Sequence, residues 1–435
     1  MKHIALLPLL CLLLVPASAA PQPTAPNTPL IRLTGSGWEA GFRNGVLVSL
    51  RNRLCGETFA VPSAPAPLTG VRRGSETVLA TEGAETNARL TVSTKRLDAA
   101  WTGGVQLTQT TAAAGDFLAL NQEVTALTPP LVGVQWGLAS IPRDVTVLVP
   151  GHSGLAFGPG TPDGVWRFDY PSSWEAQFVL LQGKQGGFLI SARDTVPLFK
   201  RLTVRRNAGV TSLEFETQAT APFEAVRAVR SVTWNIRPYR GSWQVGARLY
   251  REWAERAFGL AAIRATRPRW AAKIRCVCTV PMETQLLDEL ARRLNPAQTL
   301  LYIPSWRRDG YDRNYPDYTA LPEFGAWLTH AHALGFRVMA HVNYFGCDPL
   351  NPLYQQFKSQ QLRDPFSKEP LWWDWNRATP PIKFAYINPA SRAWRQLFVS
   401  RMKEFCTRYP VDALHLDQTL CMYNDHNGTL DGMNS

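Results

Sequence analysis

From Leu30 to about Pro238, apolar and polar residues alternate in short runs. In TSLEFETQ, Leu213 and Phe215 point one way while Glu214 and Glu216 point the other. LTVSTKRLDAAW, VQLTQTT and LNQEVTAL repeat this period of two, and GVLVSLRNRLCGETFA reads as a strand, a turn and a second strand. A period of two marks half-buried antiparallel strands. Glycine and proline clusters such as GPGTPDG, residues 158–164, separate them. Many short strands in succession predict a large β-sandwich over 30–238.

The period then changes. GSWQVGARLYREWAERAFG, residues 241–259, carries Trp243, Gly246, Ala247, Tyr250, Trp253, Ala254 and Ala257 as one stripe at helical spacing. Ser242 is placed as N-cap and Gly259 where a left-handed C-terminal residue belongs. So broad a stripe predicts a buried helix within a linker region, 239–270, that bridges the sandwich to the C-terminal domain. From Ala271 strands and helices alternate. Strands are predicted at 274–280, 299–306, 336–346 and 412–417. Helices are predicted at 285–294, from Pro322 to Gly335, and from an Asn388 cap with Pro389 at N1 to about Tyr409.

Alternation of this kind implies a parallel sheet with right-handed crossovers. The long loops follow strands and the helix-to-strand turns are short, which is the habit of a (β/α)8 barrel. A doubly wound sheet is the alternative, but no glycine-rich phosphate loop follows the first strand. The stretch 271–435 falls short of the about 250 residues of a whole barrel. The expected fold is therefore a multidomain β plus α/β chain, a β-sandwich followed by the first half of a TIM barrel, in a polypeptide cut mid-barrel.

Composition adds the compartment. MKHIALLPLLCLLLVPASAAPQP has a basic start, an apolar run and an A-x-A site, which predicts a signal peptide over 1–19 cleaved after Ala19, with a flexible lead-in at 20–29. The expected product is secreted or periplasmic, with no membrane span in the mature form. The formal charge of +12 is scattered, with no nucleic-acid motif. Fifteen tryptophans tilt the reading toward sugars, although core packing is the commoner use of each. Cys276 and Cys278 share a strand face and are not expected to bridge. Cys347 and Cys421 follow neighbouring strands and are candidates for a disulfide, with buried free thiols as the alternative.

The candidate chemistry gathers at strand ends. In VDALHLDQTL, Ala413, His415 and Asp417 share one side, and Asp417 falls at the strand's carboxyl end. Met339, His341 and Asn343 share a face of the preceding strand, with Tyr344 next. Trp306, Asp309 and Asp312 follow the second strand in WRRDGYDRNYPDY, and Gln418 follows Asp417. Glycoside hydrolysis needs two carboxyl groups, one ionised and one acting as acid, with aromatic walls for the ring. Asp417 is the catalytic candidate. Trp306, Asp309, Asp312, His341, Asn343, Tyr344, His415 and Gln418 are the substrate-binding candidates. WWDW, 372–375, is a sugar platform or a packed lid. DHNGTLD, 425–431, lacks the glutamate and flanking helices of a calcium loop, so no metal or cofactor is expected.

RVMAHVNYFG followed by VDALHLDQ resembles the third and fourth strands of α-retaining glycoside hydrolases, the α-amylase and α-galactosidase-like clans. With GVLVSLRNRLCGETFA, GGFLISARD and GSWQVGARLYREW, most of 30–435 resembles secreted bacterial glycoside-hydrolase-like proteins. These pair a galactose-mutarotase-like β-sandwich with a (β/α)8 barrel. The resemblance implies a retaining glycosidase with Asp417 as nucleophile. It also implies a general acid on strand five or six, beyond residue 435, so that the 435-residue form is inactive. The alternative is a non-catalytic carbohydrate-binding or envelope protein in which Asp417 only accepts hydrogen bonds. In both, the partner is a carbohydrate. The sugar, the linkage and the oligomeric state are not legible.

Overall fold

The structure is a computed structural model, and it describes residues 29–61, 68–74, 76–79, 88–375, 382–419 and 422–433. The predicted leader, nearly all of the lead-in, and Cys421 with its expected pairing lie outside the described residues.

The first part of the chain is antiparallel. A four-stranded sheet takes Ile31–Gly35, Trp38–Arg43, Val46–Asn52 and Thr58–Ala60. A ten-stranded and a six-stranded sheet account for the remaining strands up to Arg240. The alternation explains the packing. Leu118 and Leu120 from one large sheet, and Trp136, Leu138, Leu213 and Phe215 from the other, share one core. At its centre Trp136 stacks on Phe215 at 4.7 Å and Trp174 lies parallel to Trp234 at 6.2 Å. All four rings are fully buried, so these tryptophans serve the core rather than a sugar.

Glu216 departs from the solvent-facing expectation. It is 5% exposed and takes a two-pronged ion pair from Arg72, with Nη2 at 2.7 Å and Nε at 2.9 Å. The reason lies in the other half of the chain. Phe366 comes up against this end of the sandwich, its ring 5.6 Å from the Arg72 guanidinium and 5.2 Å from Phe223. The outer face is covered there, and a buried carboxylate needs its charge matched.

Helix Trp243–Ala257 lies where predicted, and Gly259 has φ 62°. The stripe is only half-buried: Val245, Ala247, Leu249 and Tyr250 lie on Leu180, Leu189 and Tyr239, while Trp243 is 47% exposed. Gly246 alone is fully buried, because a Cβ there would meet Tyr239 at 2.7 Å. The helix rides on the sandwich and does not form a buried bridge. Ser242 stands at the N-cap with no side-chain cap bond.

The second part holds a four-stranded parallel sheet in chain order: Cys276–Thr279, Thr299–Ile303, Arg337–Asn343 and Ala413–Asp417. Helices Thr284–Arg293, Phe324–Ala333 and Arg392–Arg408 connect them. Leu287, Phe324, Trp327, Leu328, Met402 and Phe405 pack on Leu301, Ile303, Val338, Ala340 and Val342, so all three helices cover one face. Helix 392–408 is capped by Ser391, whose Oγ accepts the Trp394 N–H at 3.1 Å, and not by Asn388. Asn388 instead turns the preceding chain, accepting the Ala390 N–H and donating to Asp425. WWDW is a strand, Trp372–Trp375, in a small antiparallel sheet with Ile382–Tyr386 and Gly346–Cys347. Trp373 packs on the α/β core and Trp372 lies against Tyr354, so the segment is a packed flap. Among the described residues no helix is long and apolar enough to cross a membrane.

Two side chains fasten this part. Asn424 donates to the Ala219 carbonyl at 2.7 Å and accepts the Ala221 N–H at 2.8 Å, which joins the C-terminal segment to the sandwich. Asn424→Ala leaves a buried N–H and a part-buried carbonyl without this partner. It is expected to cost about 1–3 kcal/mol, read as a lower urea midpoint with an unchanged slope. At the amino end of the fourth strand, Asp412 accepts bonds from Val338 N–H, Arg337 and His332. Burial alone would raise its carboxyl, but these donors outweigh it and hold it below 3.8. A depressed acid stabilises the fold above its unfolded value and loses that effect as pH falls through the folded one. Asp412→Asn should therefore lower stability at pH 7, and its deficit relative to the parent should shrink in urea melts below about pH 4.

Candidate functional site

The sheet face opposite the helices carries the polar side chains. Parallel register sets His341 beside His415 and Asn343 beside Asp417. The two imidazoles stack at 5.5 Å and 24°. From the second strand the Tyr302 hydroxyl meets His341 Nδ1 at 2.7 Å, and its ring lies 5.0 Å from His415. Tyr311 covers His341 from the other side at 4.9 Å.

Asp312 reaches the same place from the loop after the second strand. That loop is built around Arg307, whose buried guanidinium donates to the carbonyls of Gly310, Arg313 and Asp317. Positive φ at Gly310, Asp312 and Asn314 lets it turn tightly enough to do so. Asp312 is 2% exposed, and its Oδ1 sits 3.8 Å from His341 Nε2. Both atoms are buried without a hydrogen-bond partner. His415 Nε2 is likewise 3.8 Å from Asp417 Oδ1, with side chains 41% and 25% exposed. One ligand atom each from Asp312, His341 and Asp417 falls within 4.8 Å of the others, a grouping able to hold a metal ion.

Among the described residues, neither Asp312 nor Asp417 forms an ion pair with lysine or arginine; each has a histidine near it instead. Among the described residues the two carboxylates thus face histidines rather than a lysine or arginine. Tyr302 feels this: burial first, then the charges of Asp417 and Asp312, push its hydroxyl up to about 12. Tyr311 is raised by burial and the same two carboxylates. Both phenols stay protonated at any working pH and can donate.

Of the residues predicted from sequence, Asp312, His341, His415 and Asp417 converge. Asn343 is adjacent but occupied, its Oδ1 accepting the Phe345 and Gly346 N–H groups and turning the chain out of the strand. Gln418 has φ 59° and a buried, unpartnered Oε1 beside Asp417. Asp309 braces the loop by accepting from Asn314 Nδ2 at 2.9 Å. Two expectations are corrected. Trp306 is fully buried between Phe324 and Phe405, with its indole N–H on the His341 carbonyl, because it sits beyond the strand where the face changes. Tyr344 packs on Phe345 and Phe398 under helix 392–408, since it follows Asn343 by one residue and points to the opposite side. Neither forms a sugar wall. Tyr302 and Tyr311 were missed. Tyr302 was within reach, because the rule that paired His341 with Asn343 also puts Leu300 and Tyr302 on one face.

A family model described as a domain of unknown function (DUF6259) matches residues 230–429. Among solved structures, the chain is similar to the α-N-acetylgalactosaminidase NagBb from Bifidobacterium bifidum in complex with GalNAc. The TM-score is 0.67 at 13% identity, over 90% of this chain and 70% of that one. The same enzyme in complex with Gal-NHAc-DNJ gives 0.65 at 14% identity, over 89% and 69%. The fold is glycoside-hydrolase-like. The α-galactosidase AgaA from Geobacillus stearothermophilus also aligns, at a TM-score of 0.47 and 9% identity over 89% and 65%, too low to carry an argument. No curated protein sequence matches.

Proposed function

We propose that the chain is the N-terminal part of an exported glycoside hydrolase whose nucleophile is Asp417. The observation that carries this is the convergence of Asp417 with Asp312 and two histidines at the carboxyl end of parallel strands, where neither carboxylate has a lysine or arginine partner among the described residues. A glycosidic transition state develops positive charge on the sugar ring, and such a pocket favours that charge over the neutral ground state. Asp417 is partly exposed and so reachable by an anomeric carbon, with His415 Nε2 3.8 Å from its Oδ1. Asp312 lies at the buried floor, where a ring hydroxyl and not the departing group would meet it. The carbohydrate ligands named for the NagBb structures support a sugar as partner.

The four strands are, on this reading, the first half of a (β/α)8 barrel over 271–435, joined to the 30–238 sandwich by 239–270. Helices on one face only, and open sheet edges at Cys276–Thr279 and Ala413–Asp417, support it. So do the exposed apolar side chains Val277, 57%, and Leu416, 43%, which further strands and helices would cover. The acid then comes from a later strand and the reaction proceeds with retention. The test is an assay of the gene-complete protein on aryl α-glycosides. Turnover with release of the α-anomer first is expected. Glycan binding without turnover would favour a non-catalytic carbohydrate-binding protein.

A further inference from the structure

The floor of the pocket holds an unbalanced electrostatic arrangement. Asp312 Oδ1 and His341 Nε2 face each other at 3.8 Å, too far apart for a hydrogen bond, and neither has another partner. They are 2% and 1% exposed, so bulk water does not solve it. Tyr302 closes the other ring nitrogen at 2.7 Å. If Nδ1 carries the proton and donates to the phenol oxygen, the Nε2 lone pair points at a carboxylate, lone pair against lone pair. If Nε2 carries it, the N–H is stranded short of its acceptor. An oxygen of Asp417 completes a triangle no wider than 4.8 Å. A dication at the centre satisfies all three at once and places positive charge between the two carboxylates.

We propose that Asp312, His341 and Asp417 bind a first-row divalent metal ion, zinc by preference, through one imidazole nitrogen and two carboxylate oxygens. Zinc takes such mixed donors with bonds of about 2.0–2.2 Å, which places tetrahedral ligands about 3.4 Å apart. The 3.8 Å pair is close to that, and the partly exposed Asp417 has room to swing in. Calcium or magnesium would want more oxygens and no imidazole. The Tyr302–His341 bond is the outer support that a metal-bound histidine normally has. The fourth position opens on the Asp417 side, toward solvent. This goes beyond the proposed hydrolysis: the metal takes up the lone pairs that a sugar and a nucleophile need, so metal and sugar exclude each other and the loaded protein is an off state.

Zinc titrated calorimetrically into the 435-residue chain should fill one strong site that calcium does not fill. His341→Gln and Asp312→Asn should each weaken it at least tenfold, with circular dichroism and the unfolding midpoint checking that both variants remain folded. Should either fail to fold, Asp417→Asn on the partly exposed ligand is expected to give a comparable loss. The thiols Cys276 and Cys278, whose sulfurs are 3.5 Å apart, are the rival zinc ligands. Cys276→Ser/Cys278→Ser should leave the affinity unchanged, and cobalt(II) should absorb without a sulfur-to-metal charge-transfer band. Full affinity in folded His341→Gln, or loss of binding in the double serine variant, overturns the assignment. The readout is binding to this chain, so an absence of glycosidase activity would count against the proposed function and not against the metal site.

Discussion

Asp417→Asn in the gene-complete protein is expected to lower kcat on aryl α-glycosides on the order of a thousandfold or more. The substitution keeps size and hydrogen-bonding reach but removes both the charge and the attacking lone pair. Without a covalent intermediate, only binding and the field of the remaining groups support the reaction, and such residues act as a unit. The site predicts a different response for its neighbours. Asp312→Asn should act mainly on KM if, as proposed, its buried carboxylate meets a ring hydroxyl and not the departing group. Asp309→Asn should change little, since the oxygen facing Asn314 survives in the amide. Activity that persists in Asp417→Asn would make Asp417 a strand-end acceptor, as in the carbohydrate-binding alternative.

The parts of this site that were legible in the sequence obey strand periodicity. A side chain two residues from its neighbour on a strand returns to the same face, whatever the fold around it, so Ala413, His415 and Asp417 were grouped from their spacing. Parallel pairing of the third and fourth strands was expected from the strand–helix alternation, but the register that sets His341 beside His415 was not. What failed lay just beyond the periodic stretch. Trp306 and Tyr344 come after the last regular residue of their strands, where backbone direction is set by local turns. Asn343 bonds the N–H groups of Phe345 and Gly346 and sends Tyr344 under the helix. Asp312 was singled out, but its burial was not, because a loop's inward turn depends on positive φ and on Arg307 bonding three carbonyls. Neither leaves a sequence period.

The large-scale architecture was read more easily than its contacts. Alternation by two marked antiparallel strands, and strand–helix alternation marked the parallel sheet that follows them. The helix 243–257 shows the limit. A broad apolar stripe says that a face can be buried, not that a partner covers it, and Trp243 remains half outside. Glu216 shows the reverse. Its period-two position pointed outward, yet Arg72 from an earlier strand pairs with it, and Phe366 from far along the chain lies against that arginine.

Asp194→Ala should destabilise the fold by about 3–5 kcal/mol at pH 7, the usual cost of leaving one charge of a buried pair alone. Lys200 is the partner left behind. Its side chain is 0% exposed, its ammonium lies 2.7 Å from Asp194 Oδ2, and the Tyr170 ring is 4.5 Å away. Burial lowers the Lys200 pKa from 10.5, and Asp194 works against that lowering. Removing Asp194 should lower it further. A lysine that holds its proton less tightly when folded gives a stability that rises with pH between the folded and unfolded values. The deficit of Asp194→Ala should therefore shrink as pH is raised toward 10.5, read as converging urea midpoints for variant and parent. Adding Lys200→Met removes the stranded charge and should recover most of the loss. It should not recover all of it, because Asp194 also accepts the Val196 and Leu198 N–H groups at 2.9 Å. In the double variant the Leu198 N–H keeps the Val196 carbonyl at 2.6 Å and the Val196 N–H loses its acceptor, leaving up to about 1 kcal/mol that no change of pH restores. A deficit that is flat with pH and untouched by Lys200→Met would mean that Asp194 acts through these two backbone bonds alone.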